Sequence, residues 1–139
     1  MFKNVLVPTD FSKTSRHALD IAVGMALLDR GRIHLLHVIE TVPHLAFEEL
    51  KSFYTSLETH AGQELENLQA LHRNRPVKIE PHIGYGNRVQ EILKFTEDHR
   101  IDLIVMNSHK VDLNNPTQGW GTISYKVGAL SQCPILLVK

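Results

Sequence analysis

The chain has 139 residues, of which 42% are hydrophobic and 22% charged, so we expect one globular domain over residues 1–139 and exclude a disordered chain. Lys and Arg total 15 and Asp and Glu total 15, and this zero net charge lacks the basic footprint of nucleic-acid or anionic-membrane binding. The single cysteine, Cys133, cannot form an intrachain disulfide, and no apolar run reaches the ~18 residues of a membrane span or resembles a signal peptide, so we expect a cytoplasmic protein.

The first part of the chain predicts a strand, a helix and a second strand. Residues 4–7 form a short apolar run that Pro8 ends, and Ser12 is a suitable N-cap for the helix that follows. Gly31 is a natural end for that helix, and residues 33–39 are apolar on both faces, as in a buried parallel strand. The helix should bury the side chains that share one face: Ala18, Ile21, Ala22, Met25 and Leu28.

The middle of the chain predicts a long helix, an edge strand and a third helix. Residues 48–71 form an amphipathic helix, and residues 77–83 alternate as a strand near an edge of the sheet. We expect residues 84–86 to turn the chain and Asn87 to cap the third helix. The apolar stripe of the long helix comprises Leu50, Phe53, Leu57, Ala61, Leu65, Leu68 and Leu71, and the third helix should bury Val89, Ile92 and Leu93.

The last part of the chain, residues 101–139, predicts a strand, a long polar loop, a helix and a final strand. Residues 103–106 and 135–138 are the apolar strands, and Ile123, Val127 and Leu130 recur at helical spacing between them. Ligands of open α/β sheets bind beyond the carboxyl ends of the strands. The loop that follows residue 106 is therefore the first place to look for a site.

Strands and helices alternate along the whole chain, with five strands expected. This order predicts an α/β fold with one doubly wound parallel sheet and helices on both faces. It contains no internal repeat and no domain linker.

Several familiar motifs are absent. The glycines at positions 84 and 86 do not form a complete dinucleotide fingerprint, because Val89 occupies the third glycine position, and no Walker sequence or G-x-S-x-G elbow occurs. His34 and His37 lie three apart on a strand and so point to opposite faces, where they cannot share a metal. We therefore predict no metal site, and we interpret Cys133 as a small packed residue.

Two positions allow both a functional and a structural interpretation. Asp10 follows the first strand, where it could accept hydrogen bonds from a ribose hydroxyl or an adenine amine, or could help Ser12 to cap the first helix. Gly121 and Thr122 begin the fourth helix, whose free N–H groups favour an anion, but they could equally form a capped helix without a ligand.

Five segments of the chain resemble the universal stress protein family. Residues 4–12, NVLVPTDFS, are similar to the first strand and loop of that family, and residues 37–38 to the end of its second strand. Residues 86–87 are similar to the turn before its third helix, and residues 102–106 and 133–138 to its last two strands. The resemblance covers essentially the whole chain.

The resemblance implies a five-stranded parallel sheet in the order 3-2-1-4-5. Some members of the family bind ATP and others do not. Binding members carry a G-x-x-G motif, nine residues and then G-[ST]. Here Asn107 and Lys110 replace the first two glycines, and residues 111–120 separate Lys110 from Gly121, so we predict that ATP binds weakly. The nucleotide contacts implied by the resemblance are Thr9, Asp10, Met106, Asn107, Lys110, Gly121, Thr122 and Ser124.

The resemblance also implies a homodimer and a role as a binding or signalling module of the stress response, with no catalytic residues. In the family order the last strand is an uncovered apolar edge that a second copy can pair with, through Ile135, Leu136, Leu137 and Val138. The alternative is a nucleotide-hydrolysing or adenylyl-transferring enzyme on the same scaffold. Such enzymes carry S-G-G-x-D-S after the first strand or an H-x-G-H motif, and this chain has neither.

Overall fold

The computed structural model describes residues 1–42, 46–115, 117, 119 and 122–139, and of Phe47 only the main chain. Five strands alternate with four α-helices, as predicted, and a short 3₁₀ helix precedes the second of them. In chain order the elements are β1 (Asn4–Pro8), α1 (Lys13–Asp29), β2 (Arg32–Glu40), the 3₁₀ helix (Phe47–Leu50), α2 (Lys51–Leu71), β3 (Lys78–Gly86), α3 (Arg88–Asp98), β4 (Leu103–Asn107), α4 (Ile123–Leu130) and β5 (Ile135–Val138).

All strand pairs are parallel and the sheet order is β3-β2-β1-β4-β5, which confirms the predicted fold class. The chain moves from β1 outward to β3, returns to the other side of β1 and continues to β5. The direction of winding therefore reverses between β1 and β4. Loops that leave these two strands diverge, and a crevice opens between them.

The core has two layers, one on each face of the sheet. Val5 and Val7 of β1 belong to the layer beneath α1 and α2, whereas Leu6 between them belongs to the layer beneath α3 and α4. This alternation follows from the period of two along a strand, and it requires an apolar residue at every position of β1 that faces either layer. Among the described helices, none combines the length and the apolar character needed to cross a membrane.

The predicted helix faces are partly wrong. In α1, Ala18 and Ala22 are buried as expected, but Leu28 is 84% exposed. In α2, Phe53 is 54% exposed and Tyr54 is buried in its place, where its hydroxyl accepts a hydrogen bond from the Val42 N–H at 2.8 Å. Two further leucines of the predicted faces, Leu71 and Leu130, are also exposed. Ile92 of α3 is buried as predicted, and Val89 and Leu93 pack partly buried against the same layer.

The predicted turn at residues 84–86 is wrong, because these residues belong to β3. Gly84 pairs with Val38 and Gly86 with Glu40, so the strand continues along the full length of β2. Gly86 alone of the two has a positive φ, of 139°, and it ends the strand. Asn87 then caps α3 as predicted, with its side chain accepting a hydrogen bond from the Gln90 N–H at 3.0 Å.

Candidate functional site

A cleft of about 320 Å³ lies at the carboxyl ends of β1 and β4, where the winding of the sheet reverses. Its floor is apolar and is formed by side chains from four elements: Pro8 of β1, Leu36 and Val38 of β2, Ile92 of α3 and Met106 of β4. Its rim is polar, and it comes from the residues that follow β1 and β4 and from the start of α4. An apolar slot with a polar end is the usual form of a small-molecule site.

The loop after β1 is held by main-chain and side-chain hydrogen bonds. The Thr9 N–H donates to the Leu36 carbonyl at 2.9 Å, and the Thr9 hydroxyl lies 3.0 Å from that of Ser15. Phe11 has a positive φ of 67°, and its N–H donates to the Thr9 hydroxyl at 3.1 Å. The His37 ring stacks on Phe11, with centroids 4.3 Å apart, and its Nδ1 lies 2.8 Å from the Thr9 carbonyl oxygen.

Asp10 takes part in the capping of α1 and also lines the cleft. The Ser12 N–H and hydroxyl both donate to Asp10 Oδ1, at 3.0 and 2.5 Å, and the Ser12 hydroxyl accepts from the Ser15 N–H at 3.1 Å. Burial raises the pKa of Asp10, but the hydrogen bonds from Ser12 outweigh it and hold that pKa below its ordinary value. Asp10 is therefore an ionised carboxylate fixed at the rim.

The opposite rim is a chain of hydroxyl groups. The Ser108 and Ser124 hydroxyls lie 2.9 Å apart, and the Thr122 hydroxyl lies 3.5 Å from that of Ser124. The Asn107 side-chain amide donates to the Thr14 hydroxyl at 3.2 Å, which ties the end of β4 to α1. The hydroxyls can rotate to donate to a ligand or to one another.

The start of α4 has no side-chain cap. Thr122 is the N-cap residue, with extended φ and ψ of −71° and 162°, but its side chain makes no capping hydrogen bond. The first N–H groups of a helix lack partners within the helix and carry the positive end of its dipole. At this end of the cleft the chain thus presents donors suited to an anion.

The structure brings together six of the eight residues predicted to contact a nucleotide. The cleft is lined by Thr9, Asp10, Met106, Asn107, Thr122 and Ser124. Lys110 is exposed and does not line the cleft. Gly121 lies outside the described residues.

Three polar or charged residues of the cleft were not predicted as contacts from the sequence: Arg88, Ser108 and His109. Ser108 and His109 directly follow β4, and the rule that identified Asp10 after β1 could have found them. The His109 Nε2 atom is buried and has no hydrogen-bond partner among the described residues. Gly119, with φ of 88°, contacts the His109 ring so closely that any side chain there would collide with it. Arg88 forms an ion pair with Glu40 at 3.2 Å.

Away from the cleft, three potential metal ligands lie together. His34 Nδ1, Glu80 Oε2 and His82 Nε2 lie 3.1 to 3.8 Å from one another. Among the described residues, this is the one group of three such side chains close enough to share a metal ion. His34 and His37 do face opposite sides of the sheet, as predicted, but the partners of His34 are on the neighbouring strand. We call these three residues the histidine cluster.

The sequence profile of the universal stress protein family matches residues 1–139. Universal stress protein YxiE of Bacillus subtilis is 28% identical to the chain, and the alignment covers 100% of each. Universal stress protein MJ0577 of Methanocaldococcus jannaschii is 29% identical, with 100% of this chain and 96% of MJ0577 aligned. The similarity to these two relatives therefore extends over the whole chain.

Solved structures of similar shape include UspA from Lactobacillus plantarum, with a TM-score of 0.82, 21% identity, and coverage of 99% of this chain and 98% of UspA. A universal stress protein in complex with cAMP has a TM-score of 0.71, 18% identity, and coverage of 99% and 97%. An Archaeoglobus fulgidus protein in complex with dAMP has a TM-score of 0.71, 15% identity, and coverage of 100% and 98%. At these identities the likeness establishes the fold.

Replacing Ser12 by Ala should lower the free energy of unfolding by about 1 kcal/mol, because the Ser15 N–H loses its cap. It should also raise the pKa of Asp10, which loses the hydroxyl donor. Urea unfolding and an NMR titration of the Asp10 carboxyl measure the two effects. Asn87→Ala, which removes the cap of α3, is the matched control and should lower stability without moving the pKa of Asp10. An unchanged pKa in Ser12→Ala would contradict the assigned role of Ser12.

The pH dependence of stability should depend on His37. Burial is the largest cause and lowers the pKa of His37 below 6.5. The hydrogen bond to the Thr9 carbonyl and the charge of Asp10 oppose this shift, whereas the charges of Arg88 and His60 add to it. A lowered pKa means that the folded chain binds the proton less readily than the unfolded chain. This stabilisation is complete above about pH 6.5 and is lost as the pH falls toward the folded pKa.

We therefore expect the loss of unfolding free energy between about pH 7.5 and about pH 5.5 to be smaller in His37→Gln than in the wild type. Urea unfolding at the two pH values measures it. His17→Gln changes an exposed histidine and should keep the wild-type loss. An equal loss in His37→Gln and the wild type would show that His37 does not carry this pH dependence.

Proposed function

The chain belongs to the universal stress protein family, and we propose that its cleft binds an adenine nucleotide, with a monophosphate bound more tightly than ATP. The observation that carries this proposal is the position of the cleft, an apolar slot that ends at the uncapped N-terminus of α4. We further propose that the protein acts as a dimeric binding or signalling module of the stress response.

The floor of the cleft suits a flat, weakly polar base. Val38, Ile92 and Met106 come from different elements and line the slot with apolar side chains, against which an adenine ring can pack. The ionised carboxylate of Asp10 stands at the edge of this floor, where it can accept hydrogen bonds from ribose hydroxyls. These two features support a nucleoside in the slot.

The polar end of the cleft suits one phosphate group. The uncapped N–H groups of α4 and the hydroxyls of Ser108, Thr122 and Ser124 are donors at the same end of the slot. His109 also lines this end of the cleft.

The cleft gives less support for a ligand with more than one phosphate group. The cleft, at about 320 Å³, is near the lower end of small-molecule sites, which is roughly 300 Å³. Asn107 stands where a glycine would let backbone amides approach the phosphates, and its amide is engaged with Thr14. Similar folds in complex with cAMP and with dAMP add support for a ligand with one phosphate.

A binding role is favoured over catalysis by the contacts of the rim. The hydroxyls of Ser108, Thr122 and Ser124 lie against one another, and no described base accepts a proton from them. A nucleophile needs such a base within hydrogen-bond reach. We therefore propose a module that binds nucleotide without turning it over.

Calorimetry of AMP and of ATP with Mg²⁺ tests the nucleotide proposal. We expect a dissociation constant above ~100 μM for ATP and one at least about tenfold lower for AMP. Thr122→Val removes one rim hydroxyl at nearly constant volume and should weaken AMP binding about tenfold, which corresponds to ~1.4 kcal/mol. Thr96→Val removes a hydroxyl from α3 outside the cleft and is the matched control. Tighter binding of ATP than of AMP would refute the preference, and no binding of either would refute the site.

The dimer is proposed to form through the free edge of β5. The Pro134 and Val138 carbonyls accept hydrogen bonds from the Ile104 and Ser108 N–H groups, at 2.9 and 2.7 Å. The N–H and C=O groups of successive strand residues point to alternate sides of the strand, so those of residues 135 and 137 point away from β4. A second copy can pair with these groups and cover the edge.

Leu137→Pro should convert the dimer to a monomer, because proline removes an N–H that points to the free edge. Sedimentation velocity at micromolar protein measures the change. Leu137→Ala shortens the side chain but keeps the N–H, and we expect it to remain a dimer. Circular dichroism checks that both variants are folded. A wild-type monomer, or a Leu137→Pro dimer, would overturn this interface.

A further inference from the structure

We propose that the histidine cluster, His34, Glu80 and His82, is a binding site for one divalent transition-metal ion of the zinc type. It lies on the sheet face covered by α3, and it is separate from the nucleotide cleft. The proposal rests on the geometry of three side chains and does not depend on the function assigned to the cleft.

The register of the sheet places the three side chains on one face. β2 and β3 are parallel, and His34 of β2 pairs with Glu80 of β3. Paired residues of adjacent strands point to the same face, and so do residues two apart on one strand, such as Glu80 and His82. Two strands thus supply two imidazoles and a carboxylate at neighbouring positions.

The distances between the ligand atoms match those of a small coordination sphere. His34 Nδ1 lies 3.1 Å from His82 Nε2 and 3.6 Å from Glu80 Oε2, and the last two atoms are 3.8 Å apart. In tetrahedral zinc sites the bonds to nitrogen and oxygen are ~2.0–2.2 Å, which sets the edges of the tetrahedron at roughly 3.3–3.6 Å. A metal ion can therefore reach all three atoms with small side-chain movements.

The carboxylate is oriented by groups outside the cluster. Glu80 Oε1 lies 2.9 Å from Lys78 Nζ and 3.4 Å from an Arg32 guanidinium nitrogen, which leaves Oε2 directed at the two imidazoles. Such outer contacts fix the ligands of metal sites. The two cations also repel a metal ion, so we expect affinity in the micromolar range and not that of a permanent structural zinc.

The site is walled on one side and open on the other. His34 is 4% exposed, whereas the Glu80 and His82 side chains are each 27% exposed and give access from solvent. Phe95 of α3 lies 4.8 Å from the His82 ring and stacks on His99 at 3.7 Å, between ring centroids. Three protein ligands leave a fourth position of a tetrahedral zinc site to water, a coordination found in proteins.

The choice of ions follows from the donor set. Two imidazole nitrogens and one carboxylate suit Zn²⁺, Ni²⁺ and Cu²⁺, whereas Mg²⁺ and Ca²⁺ require oxygen ligands. A bound ion would link the edge strand β3 to β2, and it would stabilise the folded chain because the unfolded chain does not assemble the three ligands.

The test uses tag-free, chelator-treated protein, calorimetry with ZnCl₂ and thermal unfolding with and without the metal. We expect one Zn²⁺ per chain, a higher melting temperature with Zn²⁺ and no change with Mg²⁺. Glu80→Gln keeps the size of the side chain but removes its charge, and it should weaken Zn²⁺ binding at least about tenfold, as should His82→Gln. Both residues are partly exposed, so these variants are expected to fold, which circular dichroism checks.

His60→Gln is the matched control, since it removes an exposed histidine of α2 that lies outside the cluster, and its Zn²⁺ affinity should equal that of the wild type. Cobalt provides an independent readout, because Co²⁺ held by these ligands gives the intense visible absorption of a tetrahedral site. That absorption should be lost in His82→Gln. Wild-type protein that shows no Zn²⁺ binding at about 100 μM metal would overturn the proposal. So would undiminished binding by Glu80→Gln and His82→Gln.

Discussion

The cleft depends on the parallel pairing of β1 with β2 on one side and with β4 on the other. Val5, Leu6 and Val7 are fully buried, so β1 cannot shift without exposing apolar surface on both faces of the sheet. The Thr9 N–H extends the ladder one residue beyond β1 by bonding to the Leu36 carbonyl. This fixes where β1 ends, and hence where the cleft opens between two diverging loops.

The loop after β1 contains one residue with an unfavourable backbone conformation, and this residue sets the direction of the loop. Phe11 has a φ of 67°, which costs an L-residue other than Gly, Asn or Asp on the order of 1 kcal/mol. The hydrogen bond from its N–H to the Thr9 hydroxyl and the stacking of its ring on His37 offset this cost. As a result the chain turns sharply, Ser12 reaches the start of α1, and Asp10 is left at the rim of the cleft.

The pattern of apolar runs predicted five parallel strands, and the family resemblance implied their order, but the pattern did not predict every helix face. Strand positions follow from apolar runs. Phe53 and Tyr54 are adjacent and both aromatic, and periodicity could not show that Tyr54, with its hydroxyl bonded to the Val42 N–H, would be the buried one. Within the cleft, Asp10 was predictable because it follows β1, and Asn107 because it occupies the first glycine position of the family motif. Arg88 was not, because it reaches the cleft from the first turn of α3.

The histidine cluster could not be seen along the chain, because its members meet only through the lateral register of β2 and β3. Burying the His34 imidazole in a sheet costs free energy unless it finds a partner, and an apolar side chain of similar size would usually be at least as stable there. In the metal-free chain the two histidines share one close contact of 3.1 Å, and Glu80 is held by Lys78 and Arg32. A packed core does not need this arrangement, whereas a metal ion would use all three ligand atoms at once, and this difference is the physical reason to look for a function there.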